Sequence, residues 1–120
     1  MRVTSDFFAR ALVRRANDAG AFAVLSRRGA AEAGTIYVLV DDLGGGVRLY
    51  GPAMAGFDRG EQEPSAGLDG RRFRPIHVET RADALTHLER EANFDPDLWI
   101  VEIEDREGRS FLDPDSLRED

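Results

Sequence analysis

The sequence has 120 residues, of which 42% are hydrophobic, and a formal net charge of −7. This length predicts one domain, and the apolar content is too high for a disordered chain. Cysteine is absent and all 16 basic residues are arginine, which excludes disulfides, thiolate catalysis, cysteine-bound metals, Schiff-base lysines and the P-loop lysine.

The charge is distributed unevenly along the chain. Residues 1–30 contain six arginines and two aspartates, a net charge of +4 that leaves −11 for residues 31–120. The basic part either neutralises the acidic remainder within one fold or forms a docking patch. The overall negative charge argues against a general nucleic-acid binder. No apolar run approaches the roughly 18 residues of a membrane span, and the charged N-terminus is not a secretory signal, so we expect a cytoplasmic protein with no membrane partner.

The first predicted element is an amphipathic helix over residues 5–19. Thr4 or Ser5 can cap it, and Gly20 can end it. Its apolar stripe consists of Phe8, Ala11, Leu12, Ala16 and Ala19. Because Arg15 lies on or beside this stripe, it either extends to the rim or meets a carboxylate, for which Glu102 is the predicted partner.

Four strands are predicted next, at residues 22–26, 35–40, 47–50 and 73–78. The strongest is 35–40, whose unbroken apolar run is typical of a central strand. Pro75 lacks an amide donor, which predicts that the fourth strand lies at a sheet edge or bulge. Residues 53–70 show no clear periodicity, and we expect this long loop to be disordered.

A second helix is predicted over residues 81–92, capped by Thr80 with Asp83 at the N3 position. The turn at residues 95–97 then leads into a strand that begins at Leu98. Alternation sorts this strand into two faces, one formed by Trp99, Val101 and Ile103 and the other by Leu98, Ile100, Glu102 and Glu104. This pattern predicts a central strand that is fully covered on one face and half covered on the other.

The predicted order is α-β-β-β-β-α-β. This order favours an α+β fold with a single, mainly antiparallel sheet of about five strands, its apolar side covered by two amphipathic helices. We expect one domain over residues 1–112, followed by an acidic tail at 113–120 that frays.

Five segments together resemble a known family. They are residues 11–15 (ALVRR), 28–34 (RGAAEAG), 49–52 (LYGP), 89–91 (ERE) and 94–104 (FDPDLWIVEIE). In this order, over roughly residues 1–106, the chain is similar to a bacterial family catalogued as domain of unknown function 1491. The resemblance implies a single compact domain, and because the family has no established activity it implies no catalytic residues.

One carboxylate cluster is visible in the sequence, consisting of Asp95, Asp97, Glu102, Glu104 and Asp105. Magnesium and calcium prefer clustered oxygen ligands, and Glu102 and Glu104 share a strand face on which Asp42 or Glu79 could join them. A divalent-metal-dependent phosphoesterase or nuclease, with Asp95, Asp97, Glu102 and Glu104 as metal ligands, is therefore the alternative function. The other interpretation is a solvated strand end with turn-forming aspartates.

Five arginines form the candidate binding face: Arg10, Arg14, Arg15, Arg27 and Arg28. Arginine recognises carboxylates and phosphates in bidentate fashion, but the interleaved aromatics of single-strand nucleic-acid readers are missing. The two histidines show no ligand spacing, and no serine lies in a nucleophile elbow. We therefore expect a small non-catalytic interaction module without a cofactor, which binds a protein partner or itself, with the Pro75 edge strand and the long loop as possible docking features.

The central placement of the last strand predicts the effect of truncating its tryptophan. Trp99→Ala should lower the free energy of unfolding by about 3–5 kcal/mol, because a large aromatic side chain is lost from the core. Thermal or urea denaturation measures this, and an unchanged stability would contradict a central position for the strand.

Overall fold

The computed structural model describes residues 3–53 and 70–118. Its elements are α1 (Ser5–Asp18), β1 (Phe22–Arg27), β2 (Ile36–Asp41), β3 (Val47–Pro52), β4 (Phe73–Ile76), α2 (Arg81–Phe94), β5 (Trp99–Glu104) and a short 3₁₀ helix (Pro114–Ser116). The predicted order of two helices and five strands is confirmed. Apart from its ends, the loop predicted at residues 53–70 lies outside the described residues.

The five strands form one sheet in the order β1-β5-β2-β3-β4. Every neighbouring pair is antiparallel except β2 and β5, which are parallel, so the sheet is mixed but mostly antiparallel. The last strand of the chain thus lies between the first two. The predicted edge position of β4 is confirmed, because β4 pairs only with β3 among the described strands.

The two helices lie on opposite faces of the sheet. Leu12 of α1 belongs to a core cluster with Trp99 and Val101, whereas Leu88 of α2 belongs to a second cluster with Ile100. The expectation that both helices cover a single apolar side is therefore wrong. The reason is that the apolar run of β2 is buried at every position from Ile36 to Val40, so the sheet has two apolar faces, and each of them needs a cover.

Trp99 is anchored by the loop that precedes β2. Its indole Nε1–H donates to the carbonyl oxygen of Ala30 at 2.8 Å, and the Ala30 N–H donates to the Asp97 carbonyl oxygen at 2.9 Å. A Cβ atom added at Gly34 would overlap both that Asp97 carbonyl oxygen and the indole ring. Residues 28–34 and 94–104, which the sequence marked as distinctive, are therefore in direct contact.

One residue on each edge strand of the sheet has its outward backbone groups bonded by another part of the chain. On β1, the side-chain amide of Asn17 accepts from the Ala23 N–H at 2.9 Å and donates to the Ala23 carbonyl oxygen at 3.1 Å, as a neighbouring strand would. On β4, the Arg118 N–H donates to the Phe73 carbonyl oxygen at 2.7 Å. Such coverage protects a sheet against pairing with other chains.

The C-terminal segment differs from the expected frayed tail. Residues 113–115 are exposed, but residues 116–118 are packed: Ser116 is buried, and Leu117 forms a bridge with Phe73. The reason is that Leu112 and Leu117 add apolar side chains to the core cluster beneath α1. The brief strand pairing expected at residues 110–112 is not seen in the described structure, which assigns no strand there.

The close approach at Gly34 yields a stability prediction. Gly34→Ala should destabilise the protein by about 1–3 kcal/mol, because the backbone of β5 or the Trp99 ring must shift to admit the methyl group. Gly44→Ala is the matched control, since its Cβ would meet nothing closer than a carboxylate oxygen of Asp42 at 3.6 Å. Equal urea midpoints for the two variants would contradict the packing of this loop against β5.

Candidate functional site

The outer side of α1 borders a continuous groove, which we call the α1 groove. One part, of about 490 Å³, lies between α1 and the C-terminal segment and is lined by Phe7, Phe8, Ala11, Phe111, Leu112 and Pro114. A shallower part, of about 700 Å³, continues along the helix past Arg10 and Arg14. The two parts share Phe7, Ala11 and Arg15, so they form one surface.

Phe7 stands exposed in this groove because of how α1 packs. The helix is buried through Ser5, Ala9, Leu12 and Ala16, which are mostly small side chains and bring it close to the sheet. Phe7 falls outside this side and is 61% exposed.

The neighbouring Phe8 has a structural role instead. Its ring stacks on Phe73 with the centroids 5.8 Å apart, and the guanidinium carbon of Arg71 lies 5.0 Å from its centroid. Phe7 thus joins Ala11 and Phe111 in one apolar surface along the groove, and contiguous exposed apolar surface marks interaction sites.

Arg15 holds the far wall of the groove. Its Nε and NH2 groups donate to the carbonyl oxygen of Phe111 at 3.2 and 2.9 Å. The predicted pairing with Glu102 is wrong, because Glu102 faces the α2 side of the sheet, where it accepts from Arg81 at 2.6 Å. The alternation of side chains along β5 correctly predicted which residues share each face of the strand. The sequence did not indicate that α1 and α2 lie on opposite faces of the sheet.

Phe111 adopts an unusual backbone conformation at this wall. Its φ is 61°, in the left-handed region, where a non-glycine residue costs on the order of 1–3 kcal/mol. The contact with Arg15 and the guanidinium of Arg109, 4.8 Å from the Phe111 ring centroid, support this conformation from two sides. No local signal in the sequence marked this residue.

The arginines on α1 differ in how they are engaged. Arg10 donates to Asp6 at 2.6 Å across one exposed helical turn. Arg14 is exposed, and among the described residues no side chain or backbone group forms an ion pair or hydrogen bond with it. Together with Arg15, these two residues line the groove, so the structure brings three of the five candidate arginines to one surface.

The other two candidate arginines lie elsewhere. Arg27 ends β1 and donates to the Pro96 carbonyl oxygen at 2.8 Å, which ties it to the turn before β5. Arg28 follows in the loop and is exposed. Neither residue lines the α1 groove.

The acidic residues proposed as metal ligands lie at the two ends of β5. Asp95 and Asp97 precede the strand, and the Asp97 N–H donates to an Asp95 carboxylate oxygen at 3.1 Å. Glu102 and Glu104 lie at its other end, and the four residue steps from Leu98 to Glu102, at about 3.3 Å each, keep Glu102 roughly 13 Å from the turn that holds Asp97. Within residues 3–53 and 70–118, no group of three or more histidine and carboxylate side chains is arranged to hold a metal ion.

Arg81 is the counter-charge that sequence reasoning missed. Its guanidinium donates to Glu102 at 2.6 Å and to Asp41 at 3.1 Å, so the acid that joins Glu102 is Asp41 rather than Asp42 or Glu79. The sequence did contain a signal for this ion pair. Arg81 is the first residue of α2, where the helix dipole disfavours a positive charge. A cation at that position indicates nearby carboxylates.

Asp105 is held in a tight clamp after β5. Arg109 donates to it from Nε at 2.9 Å and from NH2 at 2.8 Å, and the Arg109 N–H adds a third bond at 2.8 Å. The side-chain hydrogen bonds from Arg109 lower the pKa of Asp105 to about 2, against the opposing effect of burial. The carboxylate therefore fixes the turn at residues 105–109.

The second group with a large pKa shift, the Tyr37 hydroxyl, also has a structural role. The Tyr37 hydroxyl donates to Glu91 at 3.3 Å, and burial, followed by the negative charge of Glu91, raises the pKa of Tyr37 to about 12. His87 lies 3.8 Å from the other Glu91 oxygen, whereas His77 is largely exposed. Tyr37 thus stays protonated near neutral pH and joins α2 to β2.

Comparison with known proteins places these features in a family context. The sequence matches the family model described as "Protein of unknown function (DUF1491)" over residues 3–113, somewhat further than the segments that carried the resemblance. No curated protein matches the chain. Neither helix among the described residues is long and apolar enough to cross a membrane.

Three solved structures are similar to the chain over nearly their whole length. A crystal structure of a DUF1491 family protein from Caulobacter crescentus CB15 shares 36% identity at a TM-score of 0.78, covering 98% of this chain and 99% of that one. An NMR structure of a DUF1491 family protein from the same organism shares 37% sequence identity at a TM-score of 0.78, and the match covers 98% of both chains. A solution structure of a protein from A. tumefaciens shares 35% sequence identity with this chain at a TM-score of 0.73, and the match covers 100% of this chain and 98% of that one.

The Asp105 clamp predicts an acid-dependent loss of stability. Because the pKa of Asp105 in the folded protein, about 2, lies below its ordinary 3.8, the clamp stabilises the fold fully above about pH 4, and this contribution is lost as the pH falls towards 2. Asp105→Asn should therefore be less stable than the wild type at pH 6, with the difference shrinking at low pH. Urea unfolding at several pH values measures this, with the exposed Glu107→Gln as control, and a constant difference would contradict it.

Proposed function

This chain belongs to the DUF1491 family, whose function is unknown, and we propose that it is a non-catalytic binding module of the bacterial cytoplasm. Its α1 groove docks a segment of a partner protein that carries acidic residues around an apolar anchor side chain. The observation that carries the proposal is Phe7, 61% exposed within a groove whose rim holds Arg10, Arg14 and Arg15.

The composition of the groove suits a protein interface. Interfaces have apolar centres, often aromatic, within polar rims, and arginine and phenylalanine are enriched in them. Here Phe7 and Ala11 adjoin Leu112 and Pro114, which supplies a pocket of the size that accepts one or two apolar side chains. The contact between Arg15 and Phe111 holds the opposite wall in place, so the pocket is formed before a partner arrives.

The charges favour an acidic protein segment over other occupants. Arg14 is exposed and available to a carboxylate, which arginine binds in bidentate geometry. A nucleic acid is disfavoured by the net charge of −7, which repels a polyanion. A symmetric contact with a second copy would oppose Arg14 to its own equivalent or to Arg10, since a two-fold interface pairs a patch with itself.

The groups most suited to catalysis support a non-catalytic role. Among the described residues, the two carboxyl or phenol groups with large pKa shifts, Asp105 and Tyr37, are engaged in fixed structural hydrogen bonds. Neither lines the α1 groove.

Binding of a synthetic probe tests this proposal. The probe is a 15-residue, fluorescein-labelled peptide with a central Leu-Phe pair flanked by glutamates. Arg14→Glu and Phe7→Ala should each weaken its binding by about tenfold or more, since 1.4 kcal/mol corresponds to a factor of ten. Fluorescence anisotropy measures the dissociation constants, and because both side chains are exposed, the thermal midpoint should change little.

Two control variants make the same chemical changes on the surface of α2. Arg90→Glu reverses an exposed arginine, and Phe94→Ala truncates a phenylalanine that is 82% exposed. Both should bind the probe as the wild type does. If Arg90→Glu weakened binding as much as Arg14→Glu, the loss would be due to net charge and not to the α1 groove. If Arg14→Glu bound the probe as the wild type does, the proposal would be contradicted.

A further inference from the structure

The face of the sheet on which α2 lies is only half covered. Within the described residues, α2 packs on β2 and β3, whereas α1, the helix that packs on β1, lies on the opposite face of the sheet. The uncovered part is formed by Phe22 and Val24 of β1 together with the half-buried Glu102 and Glu104 of β5, and we call it the β1–β5 trough.

Exposure along β1 shows that this side lacks a partner. Phe22 is 59% and Val24 38% exposed, while Ala23 between them is buried against α1 on the other face. The strand thus carries apolar side chains on both faces, although only one face is packed. Single exposed apolar residues are common, but here two lie next to each other on one face of a strand.

The width of the trough matches one helix. Two strands spaced about 4.8 Å apart present a surface roughly 10 Å wide, which is the diameter of an α-helix with its side chains. Leu85 of α2 is 41% exposed and lies one turn after Arg81, whose guanidinium reaches Glu102 of β5. Because residues four apart share one side of a helix, Leu85 lies on the same side of α2 as Arg81.

The charges at the trough are acidic. Phe22 lies opposite Glu104 and Val24 opposite Glu102 in the strand pairing, so each apolar side chain has a carboxylate beside it. Glu102 is matched by Arg81, whereas Glu104 has no ion pair among the described residues. A helix that covers the apolar pair would complement these carboxylates with basic residues on its flanks.

From these observations we propose that the β1–β5 trough docks an amphipathic helix of a partner protein, whose apolar side is flanked by arginine or lysine. The helix would lie beside α2 and complete that layer of the fold. This surface lies on the opposite face of the sheet from α1, so the inference does not depend on the α1 groove. The α1 helix of a second copy is a poorer occupant, because its Ala9, Leu12 and Ala16 are buried in its own core.

NMR titration with a designed peptide tests the assignment. The probe is a 14-residue helical peptide with leucines at i, i+3, i+4 and i+7 spacing and flanking arginines, and its reference is a scrambled peptide of equal charge. The helical peptide should shift the amide signals of Phe22, Val24 and Glu104. Glu104→Arg should weaken binding by about tenfold or more, because like charges then face each other.

Glu107→Arg is the matched control, since Glu107 lies in the turn after β5 with its side chain 73% exposed. It makes the same charge change and should leave binding unaltered. Equal binding of the scrambled peptide, equal weakening by Glu107→Arg, or amide shifts confined to other surfaces would overturn the proposal. So would concentration-dependent self-association in sedimentation that Glu104→Arg abolishes, because the occupant would then be a second copy.

Discussion

The insertion of β5 between β1 and β2 is the constraint on which the rest of the structure depends. The strand reaches this place through the contact of Trp99 with the loop at residues 28–34, where the indole donates to Ala30 and two glycines allow the backbones to approach. Because the central strands carry apolar side chains on both faces of the sheet, α1 packs on one face and α2 on the other. The surfaces available for binding follow from this division.

Each edge strand of the sheet has one position that is already bonded within the chain. Asn17 satisfies the outward groups of Ala23 on β1, and Arg118 occupies the outward carbonyl of Phe73 on β4. The two surfaces that we propose for binding are formed by side chains, namely the α1 groove on one face and the β1–β5 trough on the other. The α1 groove is basic with an exposed phenylalanine, whereas the β1–β5 trough is acidic with two exposed apolar side chains, so the two proposed partners differ in charge.

Arginine side chains form several of the ion pairs and hydrogen bonds that join distant parts of the fold. Arg81 joins the ends of β2 and β5 through Asp41 and Glu102, Arg109 fixes the following turn through Asp105, and Arg15 holds the Phe111 carbonyl. The planar guanidinium group, with its fixed fork of donors, suits such two-pointed contacts. Most of the carboxylates that suggested a metal site are therefore balanced by arginine or engaged in turns, whereas Arg14 is exposed and forms no ion pair within residues 3–53 and 70–118.

The sequence by itself determined the elements, their order, the two faces of β5 and the edge position of β4, because periodicity, caps and proline are local signals. The resemblance carried by residues 28–34 and 94–104 was enough to indicate the family. Only the tertiary structure decided that the helices lie on opposite faces, which separated Arg15 from Glu102, and that residues 116–118 pack against β4. It also decided that three arginines share a groove with Phe7 while Arg27 and Arg28 do not. These outcomes depend on contacts between residues far apart in the chain, such as the pairing of β1 with β5, for which no short segment carries a signal.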